Sequence, residues 1–77
     1  MNKADRAELQ KAHDMIEEAK SIIETIGEQE QEKFDNLTEG LQASERGQKF
    51  EETASSLADA AGALDDVLGA INDAMEG

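Results

Sequence analysis

The sequence predicts an all-α protein: two long helices folded back as an antiparallel hairpin, with a short helical turn at the bend. Three observations carry that expectation. Proline is absent, and Ala, Glu, Gln, Lys and Leu are abundant, a composition that favours helix over strand. Apolar residues recur at alternating spacings of three and four in two long stretches, the pattern of helices with one buried face. Between them lies NLTEGLQASERG, Asn36 to Gly47, which breaks the pattern and holds two of the chain's six glycines.

The first helix is expected over about residues 4–33. Its stripe is Leu9, Ala12, Ile16, Ala19, Ile23 and Ile26, widened by Met15 and Ile22, and its opposite surface holds Glu8, Lys11, Asp14, Glu17, Glu18 and Glu24. Lys20 follows Glu17 by three and precedes Glu24 by four, spacings that allow weak surface pairs. A hinge follows over about 34–44. There Asn36 and Glu39 have the spacing of an N-cap with a reciprocal acid, which predicts a short helical turn around Thr38–Ala43. Ser44 suits the cap of the second long helix, about 44–75. In that helix Phe50, Leu57, Leu64 and Ile71 fall seven apart, beside the rows Ala60, Val67, Ala74 and Ala54, Ala61, Leu68, Met75. Sustained heptads predict left-handed, coiled-coil-like packing. Gly62 and Gly69 each lose about 1 kcal/mol of helix propensity against Ala, so they are expected to mark close contacts.

Seventy-seven residues make a single domain, 1–77, and the apolar supply is thin: two Phe, no Trp, Tyr or Cys. A chain this short seldom buries enough surface alone, and neither disulfides nor a thiolate zinc site can help. Association is the remaining route. A homo-oligomer, dimer or higher, is therefore expected, as a four-helix bundle of two hairpins or a larger ring.

A formal charge of −12 and a pI near 4.2 argue against direct nucleic-acid or anionic-membrane binding and favour basic partners. No apolar run has the length of a membrane span, and MNKADRAELQ has no signal-peptide core. A cytoplasmic location is expected.

Enzyme chemistry finds few candidates. The chain has one His, and its neighbour Asp14 does not share a helix face with His13. Glu17 and Lys20 stand where a ferritin-like Glu-x-x-His would supply two ligands, but the imidazole is missing. The acidic pairs Glu17–Glu18, Glu51–Glu52 and Asp65–Asp66 lack the spacing of a calcium loop. No catalysis, cofactor or metal is expected.

Charge distribution gives two candidate regions. After Lys49 no basic residue occurs, so Glu51, Glu52, Asp59, Asp65, Asp66, Asp73 and Glu76 form an acidic surface about 40 Å long at 1.5 Å per residue. The hinge is the exception. Lys33, Arg46 and Lys49 bracket it, with Ser44, Gln48 and Asn36 adding neutral hydrogen-bonding groups. A helix N-terminus with a guanidinium and an ammonium nearby suits a phosphate or carboxylate, so these six residues are the candidate ligand site.

KFDNLTEGLQASERG, Lys33 to Gly47, resembles a segment of small acidic helical proteins from bacterial phages and integrated mobile elements, mainly of Gram-positive hosts. Those proteins carry Pro where this chain has Thr38, and the flanking helices are similar in style. The resemblance implies a phage or mobile-element origin, and thereby a bacterial host cytoplasm. Small accessory proteins of such elements often antagonise host defence by binding, without catalysis. The expected function is therefore non-enzymatic and anti-defence: sequestration of a small anionic or nucleotide-like ligand near the hinge. The alternatives are an acidic nucleic-acid mimic that blocks a basic host protein, as some anti-CRISPR proteins do, and a purely structural oligomer.

Overall fold

The computed structural model describes Met1–Gly77. The chain is all-helical: α1 (Lys3–Asp35), α2 (Glu39–Gln42) and α3 (Glu45–Glu76). Asn2 opens α1 by accepting the Asp5 N–H on its side-chain oxygen at 2.7 Å. Ser44 opens α3 in the same way, accepting from Gly47 at 3.3 Å. Each side chain satisfies one of the amides that a helix N-terminus leaves unpaired.

The two long helices lie against each other and run in opposite directions. Lys20 meets Asp65, Gly27 lies beside Leu57, and Lys33 reaches Phe50. Positions thus rise along α1 as they fall along α3. On α3 the inward face is Gly47, Ala54, Ala61 and Leu68, all buried, with Phe50, Leu57, Leu64, Ile71 and Met75 half-buried between them. This three-four alternation is the spacing of a coiled-coil seam. On α1 the facing residues are Leu9, His13, Ile16, Lys20, Ile23, Gly27, Glu30 and Phe34, and none of them is fully buried.

The α1 stripe is divided between α3 and solvent: Met15, Ala19, Ile22 and Ile26 are exposed, with 58% of Met15 and 55% of Ile22 open to solvent. The polar residues His13, Lys20 and Glu30 occupy the seam, so the apolar arc of α1 is rotated to one side of it. Within the chain, Gly62 and Gly69 make no close contact. A Cβ at either would meet nothing within 4 Å, whereas one at Gly27 would come 3.3 Å from the Leu57 Cβ.

The bend differs from its expected capping. Asn36 does not start the short helix; it ends α1, its N–H donating to the Glu32 carbonyl at 2.9 Å while the Leu37 N–H donates to that of Phe34 at 3.1 Å. Thr38 is the residue that precedes α2, without a side-chain cap bond. Continuing α1 through Asp35 satisfies more backbone groups than an early stop would. A side chain at Gly47 would overlap the carbonyls of Leu41 and Gln42, so α3 begins pressed against the end of α2. Gln42 ties the bend back to α1 by donating to the Phe34 carbonyl at 3.2 Å.

The shape is a rod of 58 × 15 × 13 Å with a radius of gyration of 17.4 Å, against about 11.5 Å for a compact domain of this length. Its accessible surface is 5524 Å², some 900 Å² above the roughly 4,600 Å² of a compact monomer of equal mass. Three apolar residues, Ala54, Ala61 and Leu68, make up the buried core.

Candidate functional site

The bend brings basic residues from both long helices to one aromatic ring. The Lys33 ammonium, from the last turn of α1, stands 5.9 Å from the Phe50 ring centroid. The Arg46 guanidinium, from the first turn of α3, stands 5.7 Å from the same centroid. Both distances fall within cation–π range. Phe50 is half-buried in the seam and lies four residues after Arg46, the spacing that stacks two side chains on one helix face.

The six expected site residues divide into two kinds. Lys33, Arg46 and Lys49 are exposed. Lys33 also donates to Glu30 at 3.0 Å, while Arg46 and Lys49 have no carboxylate within 4.0 Å. Ser44 and Gln48 are engaged with the backbone through their side chains, and Asn36 through its main-chain N–H alone. Ser44 donates to the Leu41 carbonyl as well as capping α3. Gln48 donates to the Ala43 carbonyl at 3.4 Å, and Asn36 closes α1 with its N–H. These three shape the bend, and the three cations face solvent around it. Phe50 is the residue that sequence reasoning assigned to the core alone. The Arg46–Phe50 spacing was the available signal.

Two other places hold polar groups. A shallow groove of about 480 Å³ opens midway along the rod, lined by Lys20, Glu24, Glu28, Asp65, Gly27 and Gly62 among others. Its only cation is already taken by Asp65 at 2.9 Å, and the remaining charge is acidic. The Asp65 hydrogen bond raises the Lys20 ammonium above its ordinary lysine value; burial opposes this, and the charges of Asp65, Glu24 and Glu17 assist it. At the other end of α1, ligand atoms of His13, Asp14 and Glu17 lie within 4.8 Å of one another. All three come from a single turn, and both carboxylates are exposed. No helix is long and apolar enough to cross a membrane.

Compared with protein-family models, with curated proteins and with solved structures, the chain matches none of them.

Proposed function

We propose that this chain is a non-enzymatic binding protein of the phage-accessory kind that takes up a small anion, nucleotide-like in character, at its bend. Antiparallel hairpins of α1 and α3 pair into a homo-oligomeric bundle that supports the site. The observation that carries this reading is the convergence of Lys33 and Arg46, from opposite helices, on the Phe50 ring. In a protein of charge −12, positive side chains gathered at one end are the natural docking point for an anion. Guanidinium offers two parallel donors to a phosphate or carboxylate, and Lys49 adds a point charge one turn away.

Calorimetry with mono-, di- and cyclic nucleotides, run on wild type and Arg46→Ala beside thermal melts, tests the reading. Wild type binds at least one of them, and Arg46→Ala loses that binding with its helix content unchanged. Absence of binding across the panel would leave the bend as a turn.

A second reading has its own observation. Glu52, Asp59, Asp66 and Asp73 are all exposed, seven apart, and free of ion pairs within the chain. They form one acidic line opposite the seam. Such a line suits a basic channel on a host nucleic-acid-binding protein, occupied in place of a phosphate backbone.

A further inference from the structure

The rod has two broad sides, and they differ in character. A right-handed helix turns about 100° per residue, so in an antiparallel pair the residues just before the inward-facing ones all emerge on the same side. Those just after them emerge on the other. The mid-rod groove bears this out, since Glu24, Glu28, Gly62 and Asp65 each follow an inward-facing residue. The opposite side therefore carries Met15, Ile22 and Ile26 of α1 together with Ala63, Val67 and Ala70 of α3, every one of them exposed. None is charged. At the bend end the same side carries Lys33, Arg46 and Lys49, which precede Phe34, Gly47 and Phe50.

We propose that a second copy of this chain covers this side, its α1 lying over the first copy's α3 and its bend at the same end of the rod. This rests on the assembly reading above and deepens the bend site. Three observations choose the occupant and its orientation. The excess surface of some 900 Å² over a compact monomer matches the roughly 800 Å² each partner buries in a standard interface. Between Glu8 and Lys33 of α1 the strip carries no charge, so two molecules of −12 meet along it without like charges. The cations at the bend are the exception, and the shared anion offsets them. The large side chains all come from α1, while α3 contributes alanines and one valine, so α1 over α3 sets large against small. The reverse orientation stacks α1 on α1 and α3 on α3, large on large and small on small, with Lys33 near the partner's Asp5. In the favoured arrangement, Lys33, Arg46 and Lys49 of both chains meet at one end. The anion site lies between the two bends and takes one anion per two chains.

The chain has no cysteine, so single cysteines report on each point. Thiol labelling of Ile22→Cys falls roughly tenfold when nine chains in ten are paired, since only the unpaired chain exposes it. Ala58→Cys, on the groove side, keeps its rate. Spin labels on Thr38→Cys, at the bend, lie within two to three helix diameters of each other, roughly 20–30 Å. Label separation near the 58 Å length of the rod would overturn the orientation, and protection of Ala58→Cys instead of Ile22→Cys would overturn the face. Wild type sedimenting as a monomer at every concentration defeats the assembly itself. Titration with inorganic pyrophosphate separates that failure from failure of the bend, because a monomer that still binds it at one per chain keeps the bend site and loses the shared one.

Discussion

Lys20 of α1 donates to Asp65 of α3 at 2.9 Å, and theirs is the one ion pair that joins the two long helices. It sits near the middle of the seam, where a slip by a heptad would separate the two charges, so it favours one axial register. The hydrogen bond raises the lysine's pKa in the folded chain. A cation stabilised by folding contributes fully below its unfolded pKa and loses that contribution as pH rises through the folded value. Denaturant melts of wild type and Lys20→Met should therefore keep a constant offset at neutral pH. Wild type should then lose ground to the variant as pH climbs through and beyond the ordinary lysine range, about 10.4. A constant offset up to pH 12 would show that the pair adds nothing.

Gly47 and Gly62 should answer the same substitution with opposite signs. Gly47→Ala forces a methyl onto the Leu41 and Gln42 carbonyls and should destabilise by about 1–3 kcal/mol, the range for overpacking. Gly62→Ala meets open space and should stabilise by roughly 0.4–1 kcal/mol. Urea midpoints of the two variants check both.

Leu68 is the largest buried side chain, 7% exposed. Leu68→Ala should destabilise by about 2–3 kcal/mol, near the low end for core truncations because the small core can close around the gap. Its neighbour Val67 is 42% exposed. Val67→Ala should barely change the melting of a dilute chain, yet weaken its self-association in sedimentation.

Phe50→Leu keeps an apolar residue in the seam and removes the ring that Lys33 and Arg46 share. Helix content should hold. Anion affinity at the bend should drop about two- to fivefold, the equivalent of one exposed cation–π contact of roughly 0.5–1 kcal/mol. An unchanged affinity in calorimetry would mean that the ring does not orient the cations.

Changing Asp59, Asp66 and Asp73 together to Asn distinguishes the two functional readings. Anion uptake at the bend should survive and strengthen slightly, since negative charge is removed from the molecule. A nucleic-acid mimic would instead lose inhibition of its basic partner and much of the salt dependence of that inhibition. Pull-down at low and high salt with wild type and variant reads the difference.

Helix content was legible from residue types alone, because the lack of proline and the three-four apolar spacing leave no alternative to helix. Ser44 was readable as a cap from its side chain and position. The division of the α1 stripe was not. Ile22, Ile23 and Ile26 look alike in a periodicity count, and only the pairing of Lys20 with Asp65 shows that Ile23 turns toward α3 while Ile22 and Ile26 turn away. Nor was the placing of Gly62 and Gly69 outside the α1–α3 seam legible, because heptad spacing marks a repeated position without saying which side of the seam it occupies. At the bend, Arg46 and Lys33 were found by charge contrast. Phe50 was passed over because one side chain can both fill a seam and receive two cations.

The tight junction of Gly47 with α2 has a consequence for the order of folding. Contacts between α1 and α3 near the bend close short loops, while those near the termini enclose almost the whole chain. Loop entropy grows with the enclosed length, so pairing should begin at the bend and spread outward like a zip. The tied corner of Phe34, Gln42 and Gly47 is then the place where a nascent chain first commits to its fold. Amide exchange should be slowest along the packed stretch of α3 from Ala54 to Leu68 and fastest at the frayed ends of α1 and α3.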